Sequence, residues 1–412
     1  MALIVQKFGG SSVANAERVR NVAGRIVKTY REGNDVVVVL SAQGDTTDEL
    51  IEKAKEISEK PSKREMDMLL STGEQISIAL MAMAIEKLGC QAVSFTGQQV
   101  GIKTNTIHGN ARIEDIDGSR IRAELNRKRI VIVAGFQGID EEGNITTLGR
   151  GGSDTTAVAL AAILNADLCE IYTDVDGVYT ADPRIVPDAR KLEDISFGEM
   201  LELASLGARV LHNRSVELAK KYNVRMVVRS SLNNHKGTLV KEVNEVEKMM
   251  IKGVAYDKDI ARISILAVRD IPGVAYRIFK FLADAGINVD IILQSIGRGD
   301  TKDISFTVAK SQLTETIDLI NRNLDDIGAA DVSFSQDVAK VSVVGAGMVN
   351  HPGVAATMFE ALAEADINIH MISTSEIKIS CLVRTDEAEK AVQAVHKKFR
   401  LGESEQAEEQ AG

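Results

Sequence analysis

VVVVL at residues 36–40 and IVIVA at residues 130–134 decide the fold. A strand with one wet face alternates apolar and polar residues, whereas a strand covered on both faces reads as a near-continuous apolar run. Both stretches are of the second kind. Around them, short β-branched runs alternate with longer helical patterns. Strands are expected at Ala2–Phe8, Val36–Ser41, Ala92–Phe95, Ile130–Phe136, Glu170–Thr173 and Arg225–Val228. Amphipathic helices are expected at Val13–Arg31, Thr46–Glu59, Lys63–Leu88, Ile116–Arg127, Asp154–Leu164, Phe197–Leu203 and Arg209–Tyr222. Such alternation implies a mostly parallel sheet with right-handed crossovers. Residues 1–240 are therefore expected to form an α/β domain, a mostly parallel sheet sandwiched by helices.

After residue 240 the pattern breaks. KEVNEVEKMMIKGVAYDKD (241–259) is charge-rich and reads as a linker, 241–258, passing into a new strand. An internal repeat follows. Ile271–Ser295 aligns with His351–Ser375 at an offset of 80, with 12 identities in 25 positions, among them Pro272/Pro352, Gly273/Gly353 and Asn288/Asn368. Each copy reads strand, Pro-Gly turn, amphipathic helix, Ile-Asn turn, then strands. That is the α+β, ferredoxin-like βαββαβ pattern. The copies are expected over 259–335 and 336–400, with an acidic, polar tail at 401–412 that should be disordered.

The chain has 412 residues, 44% of them hydrophobic and 26% charged, which excludes wholesale disorder and leaves room for several cores. Apolar runs such as Ile78–Ile85 are far shorter than the ~20 residues of a membrane span. MALIVQKFGG shows no basic segment followed by a long apolar one, so no secretory signal is expected. Cys90, Cys169 and Cys381 are too scattered for a disulfide framework or a zinc site. These features point to a cytoplasmic protein with no membrane partner. A formal charge of −10 argues against general nucleic-acid binding, though a polyphosphate needs only a few local cations and helix starts.

Two glycine clusters supply such starts. Lys7-Phe8-Gly9-Gly10-Ser11-Ser12 lies between strand and helix, without the spacing of a Walker loop or a dinucleotide fingerprint. Alone it reads equally well as a turn. Gly149-Arg150-Gly151-Gly152-Ser153-Asp154 again runs into a helix, with a guanidinium suited to a carboxylate or phosphate. Ser153 and Asp154 are also readable as helix caps. Two anion-accepting termini in one α/β domain place a site at the C-terminal edge of the sheet. A third loop, TDVDGVYTADPR (173–184), opens like an EF-hand, but Val178 and Ile185 at the fifth and twelfth positions reject calcium. Gly177, Tyr179 and Arg184 suit a nucleoside and its phosphates instead. Ser41 and Thr47 lie beyond the VVVVL strand, where Thr46 is a candidate cap. STGEQ (71–75) interrupts a helical pattern, and its Glu74 reads from isolated spacing as a solvated surface residue more readily than a ligand. The six histidines show no metal spacing, and no Ser-His-Asp or Cys-His set can be assembled. A carboxylate acceptor needs no strong base, since with a pKa of about 4 it is already ionised.

Taken in order, KFGGSSV (7–13), SAQGDTTDEL (41–50), GEQIS (73–77), TLGRGGSDTTA (147–157) and TDVDGVYTADPR resemble the aspartate kinases of the amino-acid kinase superfamily. The repeat resembles the tandem ACT domains of the same enzymes, so the resemblance spans the whole chain. It implies the amino-acid kinase fold and phosphorylation of L-aspartate by ATP to 4-phospho-L-aspartate, the first step toward lysine, threonine, methionine and diaminopimelate. It also implies that Lys7 stabilises the transferring phosphoryl group and that Asp154 organises the catalytic cations. Nucleotide contacts fall to Lys7, Phe8, Gly9, Gly10, Thr173, Asp174, Tyr179, Arg184, Arg209 and Val210. At the last two the family often carries Lys-Val, and Arg keeps the charge without the reach. Acceptor contacts fall to Ser41, Thr47, Glu74, Arg150, Gly151, Gly152, Ser153 and Asp154, with Glu74 on the ammonium and Arg150 on a carboxylate. Mg2+ is implied with ATP, held through phosphates and water and with no protein ligand assigned. Effector positions implied in the first copy are Asp270, Ile271, Pro272, Gly273, Val274, Ala275, Asn288, Val289, Asp290 and Gln294. In the second they are Val354, Ala355, Asn368, Ile369, Ser375 and Glu376. Lysine, threonine or both are the implied effectors. A homo-oligomer, or assembly with a short ACT-only subunit started at Met249 or Met250, is the implied partnership.

Overall fold

The two apolar runs lie side by side in one sheet. The computed structural model describes residues 1–206, 210–242, 250–295, 297, 299–346, 348 and 351–403. Its first half runs β1 (Leu3–Phe8), α1 (Ala16–Arg31), β2 (Asp35–Leu40), α2 (Thr46–Ile57), α3 (Lys63–Lys87), β3 (Ala92–Phe95), β4 (Ile102–Thr104), β5 (Ile113–Ile116), α4 (Ser119–Asn126) and β6 (Ile130–Ala134). It continues with β7 (Gln137–Ile139), β8 (Ile145–Thr147), α5 (Gly152–Leu164), β9 (Leu168–Thr173), β10 (Asp194–Ser196), α6 (Phe197–Ser205), α7 (Asn213–Tyr222), β11 (Met226–Ser230) and β12 (Thr238–Lys241). Among the described residues the main sheet has the order β10-β12-β11-β9-β1-β2-β6-β3. Every pairing is parallel except β11 with β12.

The period-2 geometry of strands explains the apolar runs. Val36, Val38 and Leu40 of β2 join Ile130 and Ile132 of β6 on one face, packed against Val22 and Ile26 of α1 and Ile78, Met81 and Ile85 of α3. The intervening Val37 and Val39 are equally buried, on the opposite face of β2. α5 packs against β1, β2 and β9. Each such side chain contributes about 2 kcal/mol relative to an exposed one, which is why no polar residue interrupts the runs. The α/β expectation therefore holds for this half, with mostly parallel strands.

Three local readings are corrected. Ile116 closes β5 rather than opening a helix; the Asp117 carboxylate accepts from Ser119 N at 3.0 Å and starts α4 two residues later. The helix expected from Arg209 begins at Asn213, where His212 Nδ1 accepts from Arg214 N at 3.4 Å; Arg209 lies outside the described residues. STGEQ does not interrupt a helix but sits inside the 25-residue α3. That helix is long and apolar enough to cross a membrane by length and composition, yet Ile78, Met81 and Ile85 are fixed in the core described above.

The chain divides into two compact units, the first built on this sheet. The second takes Tyr179–Arg190 and the chain from residue 245 onward, so the expected 1–240 block is not contiguous. The physical reason is burial: Ala181 and Val186 enter the second unit's core, and Thr180 O accepts from Val254 N at 2.7 Å. This unit contains β13 (Met250–Asp257), β14 (Ile260–Arg269), α8 (Val274–Asp284), β15 (Ile292–Gln294), β16 (Thr301–Ala309), α9 (Leu313–Arg322), α10 (Leu324–Ile327) and β17 (Asp331–Ser335). β18 (Ala339–Ala346), α11 (Val354–Glu364), β19 (Met371–Thr374), β20 (Lys378–Val383) and α12 (Ala388–Lys398) complete it.

Two antiparallel sheets result, β15-β16-β14-β17 and β13-β18-β20-β19. The repeat is visible in the caps: α8 and α11 both follow a glycine in the left-handed region, Gly273 at φ 89° and Gly353 at φ 110°. β13 joins the second copy's sheet, so that copy takes its fourth strand from before the first copy. Leu401 is buried in the second copy's core, so the expected tail at 401–412 is ordered at its start; residues 404–412 lie outside the described residues.

Candidate functional site

A cavity of about 260 Å³ opens where β1, β2 and β6 end and α5 begins. Its lining brings together every residue expected at a catalytic or acceptor position: Lys7, Asp154, Ser41, Thr47, Glu74, Arg150, Gly151, Gly152 and Ser153, with Gly10 beside them. Ala42, Gly44, Phe136 and Gly149 complete the wall and were not foreseen. Ala42 has no polar side chain to signal a role. Phe136 is expected in the strand, but its φ of 68° marks a sharp turn just beyond the end of β6. That conformation is costly for a bulky residue.

Close backbone approach builds the floor. A Cβ on Gly10 would stand 2.7 Å from Ala42 O, and Gly44 N donates to Gly10 O at 3.1 Å. Glycine at position 10 thus lets the β1–α1 and β2–α2 turns touch. Ser153 and Asp154 do not cap α5: Gly151, at φ 71°, is its N-cap without a side-chain bond, and both residues are buried in the first helical turn. An acidic side chain there faces the positive end of the helix dipole. Lys7 Nζ pairs with Asp154 Oδ1 at 2.7 Å, with both side chains nearly buried.

Glu74 overturns its reading as a surface residue. It is 3% exposed, accepts from Ala42 N at 3.1 Å through Oε1, and keeps a buried Oε2 without a partner among the described residues. Burial pushes its pKa from 4.5 up to about 7, with backbone hydrogen bonds opposing. A buried acceptor with nothing to accept from is expensive unless a ligand supplies the donor.

Gly73 shows how tightly α3 approaches this wall, since a Cβ there would lie 2.8 Å from Ala42 Cβ. Alanine in a helix interior ordinarily gains about 1 kcal/mol over glycine. Here overpacking reverses the sign, at a cost of about 1–3 kcal/mol. Gly73→Ala is therefore expected to lower the melting temperature and weaken ligand binding, and Gly73→Ala with Ala42→Gly to restore both. Thermal melts of the two variants check this.

The remaining expected residues lie elsewhere. Phe8 is fully buried and stacks on Tyr172 at 4.5 Å, so its side chain belongs to the core. Gly9 N donates to Tyr172 O at 3.3 Å. Thr173 Oγ1 donates to Asp174 Oδ1 at 2.8 Å, at the end of β9. Tyr179 and Arg184 stand on the segment assigned to the second unit, where Arg184 pairs with Asp182 at 2.6 Å. Val210 is half-buried.

In the repeat, Asp270, Ile271, Pro272 and Gly273 form the turn between β14 and α8, with Val274 and Ala275 in the first helical turn. Asp270 pairs with Lys302 at 2.7 Å. Asn288, Val289 and Asp290 lead into β15, which ends at Gln294, and Asp290 pairs with the buried Lys340 of the second copy. Val354 and Ala355 open α11, Asn368 and Ile369 precede β19, and Ser375 and Glu376 follow it.

Known proteins resemble both halves. The amino acid kinase family model matches residues 2–230, and an ACT domain model matches 263–324 and 341–399. The chain is 53% identical to an aspartokinase of Mycolicibacterium smegmatis over 419 residues, covering 100% of this chain and 99% of that one. It is 54% identical to an aspartokinase of Corynebacterium glutamicum over 418 residues, with the same coverage of 100% and 99%. Among solved structures, E. coli aspartokinase III in complex with aspartate and ADP (R-state) is 26% identical, with a TM-score of 0.82 over 96% of this chain and 99% of that one. The same enzyme in complex with lysine and aspartate (T-state) is 27% identical, with a TM-score of 0.74 and coverage of 96% and 99%.

Proposed function

Because the chain belongs to the amino acid kinase family, among its aspartokinases, we propose that it transfers the γ-phosphoryl group of ATP to the side-chain carboxylate of L-aspartate. The observation that carries this reading is the buried Glu74 carboxylate, its Oε2 without a partner among the described residues, in one cavity with Arg150 and the Lys7–Asp154 pair. Glu74 meets the ammonium of an α-amino acid, and Arg150 meets a carboxylate in a bidentate geometry. Ser41, Thr47 and Ser153 supply hydroxyls between them. A neighbour of the same fold was solved with aspartate and ADP, which supports the choice of acceptor and donor.

A carboxylate oxygen attacks the γ-phosphorus, the bond from that phosphorus to the β,γ-bridging oxygen breaks, and ADP leaves with the electron pair. No proton moves, so the absence of a histidine base from the assigned residues is no obstacle. The chain's task is positioning and charge neutralisation. Lys7 stabilises charge on the transferring oxygens, Asp154 holds Lys7 in place, and the Gly10 amide takes a phosphate oxygen, the Gly9 amide being engaged by Tyr172 O. Thr173, Asp174, Tyr179, Arg184, Arg209 and Val210 are assigned to the nucleotide by the family pattern. Mg2+ bound with ATP would be held through phosphate oxygens and water, with Asp154 at hand, and would supply neutralisation of the phosphate charge.

The ACT copies bind lysine, threonine or both at the two turns of each repeat, and effector binding shifts the enzyme between states of different activity. A neighbour solved with lysine supports this. The protein works in the cytoplasm, as a homo-oligomer or with an ACT-only subunit started at Met249 or Met250. The test is ADP release from Mg-ATP across aspartate, glutamate, N-acetylglutamate and carbamate, repeated with lysine and threonine singly and together. Turnover is expected with aspartate and suppression with at least one effector combination. Preference for another acid would overturn the acceptor, and indifference to every combination the regulation.

A further inference from the structure

Behind the cavity lies a polar network that the phosphoryl-transfer reading leaves unused. Asp67, on α3 two turns before Glu74, is fully buried. Its Oδ1 accepts from Thr147 Oγ1 at 2.5 Å and Gly109 N at 3.1 Å. Its Oδ2 accepts from Gly109 N at 3.0 Å and sits 2.8 Å from His108 Nδ1. Arg214, in the first turn of α7, grips the same two segments. Its Nη1 donates to Leu148 O and to Asn110 Oδ1 at 3.1 Å, and its Nη2 donates to Ala111 O at 2.8 Å. Ala111 N in turn donates to Thr147 O at 2.9 Å.

Residues 147 and 148 lead directly into Gly149 and Arg150. Gly149, at φ 74°, presses so closely on this network that a Cβ would lie 3.0 Å from Gly109 O. On the other side of Arg150, a Cβ on Gly151 would lie 2.3 Å from His212 Cβ, the residue that caps α7. The loop bearing Arg150 is thus held before and after that residue, by α3 and by α7. A buried carboxylate with four contacts is a demanding device; apolar packing would hold a strand end as stably. What a charge network adds is a fixed geometry.

We propose that Asp67 and Arg214 are positioning residues that set Arg150 against Glu74, and so fix the length of amino-acid acceptor the cavity takes. The proposal rests on the reading of Glu74 and Arg150 as the acceptor's two charged contacts. One residue, Asp67, shares a helix with Glu74 while bonding the strand that delivers Arg150, so the span between the two contacts is set by a single short chain of bonds.

The test is steady-state kinetics of Asp67→Asn, Arg214→Ala, Arg214→Lys and Arg150→Ala, with KM for aspartate and for ATP measured separately and thermal midpoints recorded. Displacement of a binding group by about 1 Å costs up to about 10²-fold. Asp67→Asn and Arg214→Ala are expected to raise KM for aspartate about ten- to hundredfold and to narrow the preference for aspartate over glutamate. KM for ATP should move less than about threefold, on the same positioning argument. Arg214→Lys should recover only part of the loss, because a point charge cannot bridge two carbonyls. If Asp67→Asn does not fold, Thr147→Val removes one donor from the same carboxylate and carries the same expectation at smaller size. Equal shifts in both KM values, or none, would overturn the proposal while Arg150→Ala still raised KM for aspartate. An unaffected Arg150→Ala would overturn the reading of the cavity itself.

Discussion

Lys7→Ala is expected to lower kcat by about 10³-fold, the scale of losing one preorganised charge at a transferring group. The reason is local. Lys7 is the last but one residue of β1, its ammonium is 2.7 Å from Asp154 Oδ1, and the pair is nearly removed from water. In that setting a fixed charge acts on phosphoryl oxygens without solvent reorganisation. Asp154→Ala should lose activity on the same scale, because the ammonium then has no partner to hold it toward the phosphates. Each single variant also leaves one buried charge uncompensated, at a stability cost of about 3 kcal/mol. The double variant should therefore melt closer to the wild type than the sum of the singles predicts. Stopped-flow or coupled ADP assays with melting curves check both halves. Turnover within threefold of wild type in Lys7→Ala would show that the pair is structural.

Glu74→Gln is expected to raise KM for aspartate by about 10²-fold, since truncating one partner of a buried charge pair costs a few kcal/mol. The same substitution should stabilise the ligand-free protein at alkaline pH. Burial raises the Glu74 pKa from 4.5 to about 7, so the folded protein holds this proton more tightly than the unfolded chain. Its contribution to stability is fully present below pH 4.5, falls between 4.5 and about 7, and is lost above. The shift corresponds to about 3 kcal/mol, which Glu74→Gln should recover at pH 8 and not at pH 4. Aspartate binding requires the ionised carboxylate. KM for aspartate should therefore fall as pH rises through about 7 in the wild type and stay flat in the variant. Chemical denaturation at the two pH values, with KM measured across the range, tests stability and binding independently.

The parts of the fold that could be read in advance are those where one physical cause acts alone. VVVVL and IVIVA are short, rich in β-branched residues and buried on both faces, and burial on both faces gives a strand a continuous apolar run. The offset of 80 between the repeats survives in the structure as two helices begun by left-handed glycines. The small sheet β5-β4-β7-β8 was not legible, because strands of three or four residues carry too few positions to show a period. The place of Tyr179–Arg190 was not legible either, since it depends on Ala181 and Val186 finding an apolar core contributed by residues far along the chain. β13 poses the same difficulty, for both repeats offer a sheet edge and only packing chooses.

The site divides along a similar line. Lys7, Arg150, Ser153 and Asp154 lie in glycine-rich strand–helix junctions, where residue type and place both announce an anion site. Glu74 sits in the middle of a helix apolar on nearly every side, so spacing alone assigned it to the surface. The resemblance placed it among the acceptor contacts, and the structure adds a buried oxygen without a partner among the described residues. Ala42 and Phe136 contribute backbone shape rather than side-chain chemistry, and shape of that kind has no residue-type signature.

Trapping the product tests whether the cavity phosphorylates the side-chain carboxylate of aspartate. Incubation with Mg-ATP, L-aspartate and hydroxylamine converts an acyl phosphate to a hydroxamate, whose position mass spectrometry assigns. The β-hydroxamate of aspartate is expected in amounts equal to the ADP released, and formed about 10³-fold more slowly by Lys7→Ala. ADP release without hydroxamate, or a hydroxamate formed preferentially from another acid, would contradict that reaction.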